Sequence, residues 1–114
     1  MTDAEKLNTV KVLLGDGGDV PPDATLTVYL DMAQREILQW RYHLVGGVPT
    51  GMTAVPEVLE ITQIYAVVAG YTHAGAEGEH THIENGVSRR FLYSDMLGYI
   101  HNNVLPFARV GAIT

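Results

Sequence analysis

A long uncharged stretch in the middle of the chain constrains the fold more than any other feature. Residues 56–76 read PEVLEITQIYAVVAGYTHAGA, and after Glu60 sixteen residues pass without a formal charge when His73 is neutral. At about 100° per residue, the large apolar side chains fall on nearly every side of a helix. The stretch is too short and too broken by Thr62 and Gly70 to span a bilayer, which needs about 20 mainly apolar residues. We therefore expect a helix covered by protein on all sides, in part by other subunits.

Length and composition predict one domain, residues 1–114, because a chain of this size buries about two thirds of its unfolded surface around one core. The chain lacks cysteine, which excludes a disulfide framework and thiol chemistry. Thr2, Asp3 and Glu5 are unlike the basic start of an export signal, so cytoplasmic synthesis is expected. A net charge of −6 argues against a protein that grips a phosphate backbone.

Two helices are predicted before the uncharged stretch. The first begins at a capping box formed by Thr2 and Glu5 and ends at Gly15. The second runs from Ala24 to about His43, with Asp23 as its N-cap. Its apolar residues alternate steps of four and three, the spacing of a helix that packs lengthwise against a near-antiparallel partner; they are Leu26, Leu30, Ala33, Ile37, Trp40 and Leu44.

The third and fourth helices complete a bundle. Pro56 stands where the first turn of the third helix tolerates a missing N–H, and this helix is expected to run back along the second as an αα-hairpin. Ser94 is the predicted N-cap of a short fourth helix that Pro106 ends.

Two extended segments are predicted beside these helices. Asn85-Gly86 favours a type I′ turn, so residues 80–92 are expected to form a short extended or β-hairpin segment. The last eight residues, from Phe107, are typical of an extended tail. The predicted fold class is mainly α: a small four-helix bundle built on a long αα-hairpin, with these two extended segments.

One set of residues suggests metal chemistry. His80, His82 and Glu84 would point to one side of a strand, and two imidazoles with a carboxylate can hold iron or zinc. A solvated polar hairpin accounts for the same residues. Ser88 and Ser94 lack a nucleophile-elbow pattern, so the chain is not expected to be an enzyme, and no catalytic, cofactor or metal residue is assigned. A small metal-binding module or metal-dependent enzyme built on the two histidines is the alternative hypothesis.

Arginine and aromatic residues near the two extended segments suggest contact surfaces instead. Arg89 and Arg90 form the only basic doublet in an acidic chain and precede Phe91 and Tyr93. Arginine and aromatic side chains are common anchors of protein interfaces, although two solvated arginines would give the same sequence. The predicted interface residues are Arg89, Arg90, Phe91, Tyr93, Phe107, Arg109 and, from the uncharged helix, Val67 and Tyr71.

With these segments in order, the chain resembles the head-tail connector (adaptor) proteins of tailed bacteriophages. The resemblance rests on an early helix ending LLG, the helix TLTVYLDMAQREILQWRY, the helix PEVLEITQIYAVVAGY, the segment EGEHTHIENGVSRRF and the ending SDMLGYIHNNVLPFARV. The most specific part is ENGVSR followed by an aromatic residue, an SD-type cap, a Tyr-Ile helix and a proline.

The resemblance implies a structural virion protein located in the neck and made in the cytoplasm of a bacterial host. Its copies would form a ring beneath the portal, about twelve in number if the ring matches a portal. The ring would join the DNA-filled head to a stopper or tail protein and line a channel through which double-stranded DNA passes without specific binding. No cofactor and no membrane are implied. A ring needs two different patches on each subunit, which fits a central helix with more apolar surface than one bundle covers.

Overall fold

Four helices make up most of the described structure. The computed structural model describes residues 1–15, 20–77 and 91–108, and their side chains except those of 72–77. The helices are α1 (Asp3–Leu14), α2 (Asp23–Tyr42), α3 (Glu60–Glu77) and α4 (Tyr93–Asn103), and one 3₁₀ turn, Glu57–Leu59, leads into α3. These residues include no strand, which confirms a mainly α fold with four helices. Most of the predicted hairpin and most of the predicted tail lie outside them.

The predicted ends of α1 are confirmed. The Thr2 Oγ1 accepts a hydrogen bond from the Glu5 N–H at 3.1 Å, and the Thr2 N–H donates to the Glu5 carboxylate at 2.7 Å. Both halves of a capping box are therefore present. Gly15 ends α1 with a φ of 83°, a conformation that costs glycine little because it lacks a Cβ.

Two predicted caps are wrong by one or two positions. Asp23 is the first residue of α2 rather than its N-cap, and its carboxylate lies 3.1 Å from the Lys11 ammonium. Ser94 lies inside the first turn of α4, because the N–H groups of residues 95 and 96 already donate to the Leu92 carbonyl. A carboxylate in the first turn still favours the helix dipole, so Asp23 stabilises the start of α2 without capping it.

Helices α2 and α3 form the predicted αα-hairpin. The Gln63 amide donates to the Leu30 carbonyl at 2.8 Å, and the rings of Tyr29 and Tyr71 meet edge to face at 5.8 Å. The Val55 N–H, just before α3, donates to the side chain of Gln34 at 3.4 Å. Residue numbers thus fall along α2 as they rise along α3, which makes the two helices antiparallel.

The other two helices lie on opposite flanks of this hairpin. Helix α1 packs on both α2 and α3, as does α4, and within the described residues α1 and α4 do not touch each other. Helix α4 runs parallel to α2, since Tyr93 contacts Glu36 near its start and Trp40 contacts Val104 just past its end. Helix α3 therefore contacts all three other helices.

A single core lies between the four helices. Most of the predicted apolar seam of α2 is buried in it, including Leu26, Ala33 and Ile37, whereas Leu44 is exposed beyond the end of the helix. Helix α4 contributes Met96 and Ile100. Burial of each large side chain stabilises the fold by about 1.5 to 3 kcal/mol relative to exposure, so this shared core holds the bundle together.

Candidate interaction surfaces

An exposed apolar stripe runs along the outer side of α3. Val58, in the 3₁₀ turn, is 77 % exposed, Ile61 is 50 % exposed and Tyr65 is 41 % exposed. Their spacing of three and four residues places them on one side of the helix. We call these three residues the α3 stripe. Scattered exposed apolar residues are common, but three in line on one helix present a continuous contact surface.

The α3 stripe continues towards α4. Tyr99 of α4 is half-buried, and burial, with the neighbouring Tyr65 as a smaller contribution, raises the pKa of its phenol. Tyr65 and Tyr99 therefore add aromatic surface where α3 and α4 meet.

Two of the predicted interface residues on α3 are buried inside the subunit. Val67 is 0 % exposed and Tyr71 is 3 % exposed. Burial, followed in importance by the neighbouring Tyr29, raises the pKa of Tyr71 to about 12. Contact of either side chain with another molecule would require the bundle to open. Val67 and the α3 stripe therefore lie on different sides of α3: Val67 faces the core and the stripe faces solvent.

A groove lies between α2 and the segment that connects it to α3. It encloses about 400 Å³, with the buried Leu38 among its walls. We call it the α2 groove. Its lining residues are Asp31, Gln34, Arg35, Leu38 and Gln39 from α2, and Val48, Met52 and Thr53 from the connecting segment. The groove therefore combines an apolar wall with polar groups, including one basic side chain.

Phe91 anchors the start of the chain leading into α4. Its ring stacks on Tyr29 with centroids 3.8 Å apart and meets Tyr71 edge to face at 5.0 Å. It also lies against Gly70, where an added Cβ would stand only 2.6 Å from its Cε1 atom. The predicted interface residue Phe91 is therefore half-buried and fixes the start of the described chain that leads into α4.

The segment after α4 is anchored at the other end of α2. The Trp40 indole N–H donates to the Val104 carbonyl at 2.7 Å. The Phe107 N–H donates to the Arg41 carbonyl at 2.7 Å, the Arg41 guanidinium lies 4.2 Å from the Phe107 ring centre, and the Tyr42 ring meets that ring at 5.2 Å. Phe107 remains 40 % exposed, so it offers half of its ring to solvent.

Tyr93 is exposed at the start of α4 and donates a short hydrogen bond to the Glu36 carboxylate. This hydrogen bond is the main reason why the pKa of Tyr93 is raised. The hydroxyl is thus already engaged within the subunit, and the face of the ring is the part available to another molecule.

The remaining predicted site residues are outside the described part of the chain. They are Arg89, Arg90, Arg109 and the hypothetical metal set His80, His82 and Glu84. Within residues 1–15, 20–77 and 91–108, no group of three or more histidine, aspartate or glutamate side chains is placed to hold a metal ion.

A buried polar contact between α1 and α3 was missed by the sequence interpretation. Lys6 is 5 % exposed, and its ammonium donates to the Gln63 side chain at 2.8 Å and lies 3.9 Å from the Glu60 carboxylate. Gln63 in turn donates to the Leu30 carbonyl. A glutamine inside a long apolar stretch was the available signal, because buried amides require partners. The contact positions α1 rather than forming a catalytic site.

Comparison with known proteins identifies one family. A sequence model of phage gp6-like head-tail connector proteins matches residues 4–103, which include all four helices except Asp3, the first residue of α1. No curated protein and no solved structure gives a significant match. Among the helices of the described residues, none is long and apolar enough to cross a membrane.

Proposed function

The chain belongs to the family of phage gp6-like head-tail connector proteins, and from this membership we propose that its copies form a ring beneath the portal. In this role the protein is structural: it joins the DNA-filled head to a stopper or tail protein in the neck of the virion. The family match over residues 4–103 is the observation that carries the proposal. The exposed α3 stripe supports it, because a subunit that is covered by its neighbours keeps apolar surface that its own helices leave open.

The charge of the chain suits a protein that surrounds a DNA channel. A net charge of −6 repels the phosphate backbone, so double-stranded DNA passes without being held. Positive charge in the sequence between α3 and α4 is concentrated at Arg89 and Arg90. We assign these two arginines to contacts with the portal or with a neighbouring subunit.

Phe91 and Phe107, which border the segments that we propose to dock, are anchored at different places along α2. Phe91 is anchored beside Tyr29, near the start of α2, and Phe107 is anchored beside Tyr42, at its last residue. The separation along α2 is thirteen residues, or about 20 Å at 1.5 Å per residue. Segments rooted this far apart suit a subunit that contacts one partner above the ring and another below it.

The first experiment mixes the purified chain with its portal protein and examines the product by sedimentation and negative-stain microscopy. We expect a ring of copies on one end of the portal. A portal that stays bare at micromolar concentrations of folded chain, with stopper and tail proteins also failing to bind, would contradict the proposal. A chain that is monomeric in the absence of a portal would not contradict the proposal, since the portal supplies the template for ring assembly.

A second experiment tests the assigned arginines. Reversal of both charges, Arg89→Glu with Arg90→Glu, is expected to reduce binding to the portal or closure of the ring. Lys11→Glu, compared with Arg89→Glu alone, is the control for an equal change of charge, because Lys11 makes only an exposed ion pair with Asp23, and such pairs contribute about 1 kcal/mol or less. Normal assembly of the double variant would remove these arginines from the docking surface.

A further inference from the structure

The α3 stripe and the α2 groove are separate surfaces of the α2–α3 hairpin. On α3, Gln63 faces α2, and Ile61 is two residues away, a rotation of about 200°. On α2, Leu30 receives the Gln63 hydrogen bond, and Arg35 is five residues away, a rotation of about 140°. The stripe therefore lies on the side of α3 turned away from α2, whereas the groove lies on a flank of α2 beside the connecting segment, with Gln34 only about 40° from Leu30. The two are different patches of one subunit.

The two surfaces also differ in shape and in charge. The stripe is a convex row of apolar side chains, whereas the groove is a concavity of about 400 Å³ with Leu38 and Met52 in its walls. Glu57 is exposed next to Val58 in the stripe, and Arg35 is the basic residue that lines the groove. Within the described residues, neither Glu57 nor Arg35 takes part in an ion pair of its own subunit.

We propose that the α3 stripe of one copy docks into the α2 groove of the next copy, with Glu57 paired to Arg35 across the interface. This inference rests on the proposed function, because it names the contact that builds the ring. Two different patches of one subunit form a head-to-tail contact, and repetition of such a contact closes a ring when the rotation permits. Asp31 also lines the groove, one helical turn from Arg35, so the pairing places Glu57 towards the Arg35 end.

Complementary apolar shape gives the contact its affinity, and the ion pair gives it direction. An acidic chain with a net charge of −6 repels its own copies at long range, so a local opposite charge favours one register over others. Like charges placed face to face at an interface disfavour binding strongly. Reversal of either partner alone is therefore expected to block the contact, and reversal of both to restore it.

The test measures how many copies bind to purified portal. Arg35→Glu and Glu57→Arg are each expected to lower the affinity of ring assembly by about tenfold or more, and the double variant is expected to recover most of the loss. Lys11→Glu changes the charge as Arg35→Glu does but lies outside both surfaces, and it is expected to assemble normally. Circular dichroism confirms that every variant is folded.

Each outcome separates this inference from the function on which it rests. Rings of normal occupancy with both single variants would overturn the docking contact and leave the connector role intact. Failure of the double variant to recover would overturn the pairing of these two residues, and an equal loss with Lys11→Glu would attribute the effect to overall charge. Absence of assembly by the unmodified chain would overturn the proposed function itself.

A second measurement does not depend on charge. Because the chain has no cysteine, Met52→Cys and Ile61→Cys in one chain introduce one thiol into the groove and one into the stripe. Oxidation on the portal is expected to give a ladder of covalently linked copies on a denaturing gel. Ile61→Cys with Lys11→Cys is the matched control and is expected to give no ladder. Linked copies absent from the first pair, although the rings form, would place another molecule in the groove, such as a different protein or a small ligand.

Discussion

The contact between Gly70 and Phe91 leads to a prediction about stability. Gly70→Ala should destabilise the fold when Phe91 is present and stabilise it when Phe91 is replaced by alanine. Gly70 is inside α3, where alanine is normally favoured over glycine by about 1 kcal/mol. Here, however, the new methyl group would lie 2.6 Å from the Cε1 and 2.9 Å from the Cδ1 of Phe91, whereas carbon atoms in contact are about 3.5 to 4.0 Å apart. The ring must therefore move by about 1 Å.

Phe91 has little freedom to make that movement. Its ring is held between the stacked ring of Tyr29, at 3.8 Å, and the edge of Tyr71, at 5.0 Å. Complete removal of a buried phenylalanine side chain costs about 3 to 5 kcal/mol, and displacement of this half-buried ring should cost about half as much. After subtraction of the helix gain, we expect Gly70→Ala to destabilise the fold by about 0.5 to 1.5 kcal/mol.

The measurement is urea denaturation followed by circular dichroism, carried out as a double-mutant cycle. In a Phe91→Ala background the clash is absent, so Gly70→Ala is expected to stabilise the fold by about 1 kcal/mol. Gly98 in α4 is the matched control, because an added Cβ there meets nothing within 4 Å and Gly98→Ala should stabilise in both backgrounds. If Gly70→Ala stabilises the unmodified protein as Gly98→Ala does, Phe91 does not pack on α3 as described.

Three further predictions concern the two ends of α2 and the buried polar contact. Trp40→Phe keeps an aromatic ring but loses the 2.7 Å hydrogen bond to Val104, so it should cost about 1 kcal/mol and increase hydrogen exchange near Val104, as measured by mass spectrometry. Lys6→Met leaves the Gln63 acceptor without its buried donor and should cost about 1 to 3 kcal/mol in urea denaturation, whereas addition of Gln63→Leu should recover part of the loss. The pKa of Tyr71 is raised to about 12 from 10.0, so its contribution to stability is fully present below pH 10 and is lost as the pH rises to about 12. Tyr71→Phe should therefore remove about 2 to 3 kcal/mol of alkaline destabilisation, and an unchanged pH profile between 9 and 12 would contradict the buried phenol.

The sequence predicted helix ends well where the hydrogen bonds that form them involve only neighbouring residues. The capping box of Thr2 and Glu5 and the stop at Gly15 involve neighbours in sequence, and all three are present. Ser94 failed as a cap because the backbone enters α4 at Leu92, two residues earlier, and that entry is set by the packing of Phe91 on α3. A cap prediction is therefore only as good as the prediction of the tertiary contact beside it.

The exposed side of α3 could not be predicted from its sequence. Apolar residues occur all round this helix, so the sequence contains no polar side that would mark which side faces solvent. The outcome is decided by α1, α2 and α4, which cover Ile64 and Val67 and leave Ile61 and Tyr65 exposed. The sequence led us to expect surplus apolar surface on this helix, and Ile61 and Tyr65 are exposed on it, whereas Val67 and Tyr71 are buried within the subunit. The α2 groove was missed because its second wall is the segment between α2 and α3. The sequence of this segment has no periodic pattern of apolar residues from which its path could be predicted.

The difference between the two proposed surfaces argues for a ring rather than for a two-fold dimer. A two-fold interface places a patch against its own copy, so contact of two α3 stripes would offer each Glu57 no basic side chain from the opposite stripe. Two α2 grooves facing each other would enclose empty space instead of filling it, and voids forfeit packing contacts. Neither surface complements itself, whereas each complements the other in shape and charge. Head-to-tail contact is therefore the arrangement that covers both surfaces of every subunit in a closed ring. An open assembly would leave one surface exposed at each end.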